Sequence, residues 1–69
     1  MQNETNKISD QYLCDKDVAD ILNVSPAWVR KQRYLRKIKQ DHILHVNPVY
    51  IGRNPRYKSS EIQGWLRSL

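Results

Sequence analysis

Asp15-Lys16-Asp17-Val18-Ala19-Asp20-Ile21-Leu22-Asn23-Val24-Ser25-Pro26-Ala27-Trp28-Val29-Arg30-Lys31-Gln32-Arg33-Tyr34-Leu35-Arg36 is the stretch on which the fold turns. Its first half reads as a short helix over 15–22. Val18, Ala19 and Leu22 share one face, with Ile21 beside it. Asp15 and Asp17 fall in the first turn, where the helix dipole favours anions. Cys14 or Asp15 serves as N-cap. Asn23 follows the last periodic residue and tolerates the left-handed conformation that ends helices. A second helix starts almost at once. Ser25 is a good N-cap, and Pro26 suits the first helical position, where its missing N–H has no helical partner anyway. This helix runs from Pro26 to about Arg36. The spacing puts Ala27, Arg30, Lys31, Tyr34 and Lys37 on its solvent face. Val24, Trp28 and Leu35 lie towards the other side, with Val29 nearby.

Two short helices joined by a turn of about three residues, the second of them basic, describe a helix-turn-helix. The first helix braces the second, which can then project side chains at base edges. The DNA major groove, about 12 Å wide, admits one α-helix.

Downstream, His42-Ile43-Leu44-His45-Val46-Asn47-Pro48-Val49-Tyr50-Ile51 is rich in β-branched and aromatic residues and has no helical stripe, so 42–51 reads as extended. Pro48 forces a bend or an edge position. Gly52-Arg53-Asn54-Pro55 is a turn signal, and Arg56-Tyr57-Lys58 reads as a returning strand. The hairpin at 49–58 thus carries Arg53, Arg56 and Lys58, as a cationic wing would. Ser60-Glu61-Ile62-Gln63 fits a capping box, with Ser59 as the alternative cap. Ile62, Trp65, Leu66 and Leu69 form the apolar stripe of a last helix that closes the core. Gly64 inside that helix invites the expectation of a close neighbour. Residues 1–11 are polar apart from Met1 and Ile8 and read as a disordered tail without a signal-peptide hydrophobic region. The expected fold is therefore mainly α with a small β-hairpin: a winged helix-turn-helix over 12–69.

Charge agrees with that layout. The chain of 69 residues carries a net +5, but unevenly. Residues 1–25 hold two lysines against five acids, whereas residues 26–69 hold ten cations against two acids. Six of those cations lie within residues 30–39. Such a run points to a polyanion-binding face. Composition narrows the options further. A chain this short rarely encloses a substrate pocket, and no nucleophile–base pair or phosphate loop is visible, so an enzyme is not expected and no catalytic residue is assigned. The single cysteine, Cys14, cannot form an internal disulfide and reads as buried or a weak cap. His42 and His45 sit three apart in an extended segment, which directs them to opposite faces, and no third ligand is evident. No metal or other cofactor is expected. No run approaches the length of a membrane span, and the expected setting is cytoplasmic.

Tyr12-Leu13, Asp17-Val18-Ala19 and Ile21-Leu22-Asn23-Val24-Ser25-Pro26 resemble the opening of excisionase-like and AlpA-like phage regulators, small winged-helix relatives of the MerR DNA-binding domain. Val49-Tyr50-Ile51-Gly52, Pro55-Arg56-Tyr57 and Ile62-Gln63-Gly64-Trp65-Leu66 are similar to their wing and last helix. The match covers about 12–69. It departs at Cys14, where the family often has a hydroxyl cap, and at the long stretch from Lys37 to Val49. The resemblance implies sequence-specific binding of double-stranded DNA, for transcriptional regulation or for recombination directionality in a prophage or other mobile element. It also implies the helix at 26–36 in the major groove, the hairpin at 49–58 on backbone or minor groove, and an integrase as possible neighbour.

The expected DNA-contacting residues are Ser25, Ala27, Trp28, Arg30, Lys31, Arg33, Tyr34, Lys37, Arg53, Arg56 and Lys58. Arg30, Lys31 and Tyr34 lead, by face, charge and position. Arg33, Arg36 and Lys37 divide between phosphate contact and solvated face. Arg56 has a second reading, an ion pair with an acid such as Asp20. Ser25 reads first as a cap, and Trp28 as partly core with a possible thymine-methyl contact. A module this small buries only about 600–1,000 Å² on DNA, so paired or cooperative sites are expected. The alternative function is a protein-interaction module that inhibits or recruits a recombinase or regulator. Single-stranded RNA is disfavoured because the aromatics fall mainly at core positions instead of on an exposed sheet.

Overall fold

The computed structural model describes residues 11–69. The order of elements is β1 (Tyr12–Leu13), α1 (Asp15–Leu22), α2 (Pro26–Lys37), β2 (Val49–Ile51), β3 (Asn54–Lys58) and α3 (Ser59–Arg67). Among the described residues three helices thus accompany one antiparallel sheet of three strands in the order β1-β3-β2. Among the described residues no helix is long and apolar enough to cross a membrane.

Helix boundaries follow local chemistry. The Cys14 N–H donates to the Asp17 carboxylate at 3.1 Å, which fixes the start of α1. That bond holds the Asp17 carboxyl below the usual carboxylate range. At the other end Asn23 adopts φ 59°, the Val24 N–H reaches the Ala19 carbonyl and the Asn23 N–H that of Asp20. This pair of bonds is the Schellman arrangement. Helix α2 opens with the Ser25 hydroxyl accepting from the Trp28 N–H at 3.1 Å and Pro26 in the first turn. It closes the same way as α1. Lys39 takes φ 62°, and the Gln40 and Lys39 N–H groups donate to the Leu35 and Arg36 carbonyls.

The core is formed by Leu13, Val18, Ala19, Val29, Leu44, Val46, Tyr57 and Ile62, with Leu22, Val24, Trp28, Trp65 and Leu66 partly buried against it. Every element except β2 contributes to the fully buried set, and so does the segment between α2 and β2. That segment differs from expectation. Only 49–51 of the predicted extended run 42–51 pairs as a strand. Residues 38–48 instead form an irregular arm whose Leu44 and Val46 drop into the core. Its backbone is held by Gln32, which is only 6% exposed and accepts from the N–H groups of Ile43 at 2.6 Å and Leu44 at 3.3 Å. A bend at Ile43 brings the rings of His42 and His45 to 4.6 Å, so they do not point to opposite faces as an extended run would require.

Other details also depart from the sequence reading. β1 was not foreseen. Tyr12 pairs with Lys58 and Leu13 with Tyr57. The predicted tail lies outside the described residues except for Gln11, whose N–H and carbonyl join the Ser59 hydroxyl and N–H. The turn is two residues, Gly52-Arg53, with Asn54 and Pro55 already in β3. Gly52 has φ 65°, the sign that a tight hairpin turn demands at that position and that glycine adopts freely. α3 takes Lys58 as its N-cap, so neither Ser59 nor Ser60 occupies the cap position. The chain passes directly from strand to helix there, which leaves no cap loop. Leu69 lies beyond the helix and is 78% exposed, outside the stripe of Ile62, Trp65 and Leu66. A Cβ at Gly64 would meet nothing within 4 Å, so no close neighbour explains that glycine.

Candidate nucleic-acid interface

The expected face of α2 forms as one surface. Val29 and Gln32 turn inward, which leaves Ala27, Arg30, Lys31, Tyr34 and Lys37 exposed on the far side. Arg36 and Lys37 occupy the last turn, where cations complement the helix dipole. Ser25 is exposed and acts as the cap, and Trp28 is half-buried against the core.

Between α2 and the start of β2 lies an open cleft of about 460 Å³. Arg30, Arg33, Tyr34, Arg36 and Lys37 line it from the helix, and Pro48 and Tyr50 from the other side. The arm at 38–48 builds this cleft. By anchoring Leu44 and Val46 in the core, it brings Pro48 and Tyr50 to face the helix. Tyr34 and Tyr50 are 59% and 61% exposed. The aromatics therefore do not all retreat into the core, and one of the exposed pair stands on the sheet.

Arg33 is placed differently from its neighbours. Its guanidinium makes a two-pronged contact with Asp15, Nη1 to Oδ1 at 2.6 Å and Nη2 to Oδ2 at 3.0 Å. The two side chains are only 18% and 16% exposed. This pair fastens α1 to α2, and the hydrogen bond to Asp15 holds Arg33 in its charged form. Arg33 also lies within electrostatic reach of the Tyr57 phenol. Burial pushes the Tyr57 phenol up from its ordinary range, and the nearby Arg33 guanidinium pulls against that. An arginine expected at phosphate or solvent thus joins three elements of the fold.

The hairpin divides its cations. Residues opposite one another in the register share a face, so Tyr50 goes with Pro55, while Arg56 goes with Val49. Side chains alternate along β3, and Tyr57 points into the core. Arg56 and Lys58 therefore project from the other face of the sheet, away from the cleft. Arg56 donates to the Pro55 carbonyl at 2.8 Å and lies within electrostatic reach of Asp17. It does not pair with Asp20, which takes Lys16 at 3.2 Å. Arg53 stands exposed at the tip of the turn.

Gln32 is the important residue that reading the sequence passed over. Its signal was positional: it falls three residues after Val29 and three before Leu35, on the inward side of a helix otherwise rich in cations. Among the described residues no three His, Cys, Asp or Glu side chains gather where they could hold a metal ion. Comparison of the chain with protein-family models, with curated proteins and with solved structures finds no match.

Proposed function

We propose that the protein binds double-stranded DNA as a winged helix-turn-helix, with α2 as the recognition helix and the β2–β3 hairpin as the wing. The observation that carries this reading is the single exposed face of α2. It holds Arg30, Lys31, Tyr34 and Lys37 and continues across the cleft to the hairpin. Among the described residues no acidic residue lines the cleft, and Asp15 and Asp20 pair with Arg33 and Lys16. Arg30 and Lys31, near the start of the helix, are suited to base edges, and a two-pronged arginine–guanine contact gives about 1–3 kcal/mol of discrimination. Arg36, Lys37 and Arg53 are suited to phosphates, which fix register. The likeness to excisionase-like and AlpA-like regulators supports the same reading and adds a role in transcription or in recombination directionality.

With Arg30 and Lys31 on base edges, the exposed Arg36, Lys37 and Arg53 leave three cations for phosphates. Anisotropy titration of a labelled duplex should then give a log–log salt slope of about −3. Absence of duplex binding at about 50 mM salt, where such contacts are strong, overturns the proposal. Selection from a random duplex pool should return a motif, and paired half-sites in it would report cooperative binding.

A further inference from the structure

Cations in a cleft account for attraction to a phosphate backbone, but this cleft also presents aromatic rings. Tyr34 stands on the α2 wall and Tyr50 on the β2 wall, with Pro48 beside it. Both tyrosines are more than half exposed, and no hydrogen bond or ring contact holds either side chain among the described residues. A fully paired duplex gives the faces of such rings little to stack on. Its bases are stacked on one another, so the grooves offer edges and not ring faces. An unpaired base has a free face. Stacking it on an aromatic side chain is worth about 5- to 150-fold in affinity per base and is tolerant of sequence. Arg30, Arg36 and Lys37 in the same cleft supply the charge that its phosphate requires.

We propose that this cleft seats one unpaired DNA nucleotide, with its phosphate on Arg30, Arg36 and Lys37 and its base stacked on the rings of Tyr34 and Tyr50. The proposal rests on the nucleic-acid reading of the same face. It adds a preference for duplexes that contain an extruded or unpaired base, such as a bulge or a locally opened step.

The test uses the full chain and two duplexes of one sequence, fully paired or carrying a single 2-aminopurine bulge. The bulged duplex should bind at least about five-fold tighter, and its fluorescence should change on binding as the base stacks. The ratio of bulged to paired affinity should fall towards one in Tyr50→Leu and in Tyr34→Leu, and persist in Tyr50→Phe, which keeps the ring. Circular dichroism on each variant establishes that it is folded. Equal affinity for the two duplexes overturns the proposal, as does a ratio that survives in the double Tyr34→Leu/Tyr50→Leu variant. If only the bulged duplex binds, the fully paired reading fails and the nucleotide seat stands. If neither binds, both fall.

Discussion

Arg33 and Arg30 carry the same charge on the same helix and do different work. Arg30 is exposed on the cleft wall, whereas Arg33 is turned onto Asp15 by a contact that aligns two N–H donors with two carboxylate oxygens. Removing Arg33 leaves Asp15 partly buried without its partner. A hydrogen-bonded charge of this kind contributes about 1.5–3 kcal/mol, so Arg33→Met should lower the unfolding free energy by that amount in urea titration. Its salt slope for duplex DNA should match that of the parent protein. A slope shallower by about one would assign Arg33 a phosphate instead. Sequence alone shows six cations within ten positions, all of them alike. What separates them is the partner, and Asp15 stands eighteen residues away in the chain. Gln32 illustrates the same limit. Its place on the inward face can be read from spacing, but its acceptor role depends on an arm that returns to it from Ile43 and Leu44.

The three helices were the most legible elements because their ends are written in short-range chemistry. Ser25-Pro26 starts α2, Asn23 ends α1, and both act within a turn of where they stand. β1 was illegible. Two residues carry no periodicity, and their hydrogen bonds go to a strand more than forty positions downstream. Residues 42–48 depart from the extended reading of 42–51 for a related reason. Ile43, Leu44 and Val46 have strand-like composition, but the arm satisfies its burial by dropping two side chains into the core without pairing. Two positions in these elements are set against their own backbone preferences. Lys39 holds a left-handed conformation that glycine adopts at little cost, so Lys39→Gly should raise stability by up to about 1 kcal/mol. Gly64 sits within α3 with open space where a Cβ would go, so Gly64→Ala should raise it by about 1 kcal/mol. Both changes should appear as higher urea midpoints with unchanged slope. A fall in the Gly64→Ala midpoint would mean that something does pack against that position.

Taken whole, the molecule encloses one tyrosine and leaves three at the surface. Tyr57 is 1% exposed, whereas Tyr12, Tyr34 and Tyr50 are all about half exposed or more. Burial raises the Tyr57 phenol above its ordinary value of 10.0, so the folded state holds that proton more tightly than the unfolded chain does. The resulting stability is intact below about pH 10 and is lost as pH rises through the higher folded value. In an alkaline titration, ionisation of one phenol should therefore coincide with loss of ellipticity. Tyr57→Phe should abolish that coincidence. The core also has a mechanical consequence. The arm from α2 to the hairpin is fastened at Gln32, Leu44 and Val46, so the spacing of the two cleft walls rests on those anchors. A duplex seated across them as proposed must supply the adjustment itself. Bending and twisting cost different amounts at different base steps, with pyrimidine–purine steps the most compliant. Under that proposal, sequence preference would extend to base pairs that no side chain reaches, through the stiffness of the DNA itself.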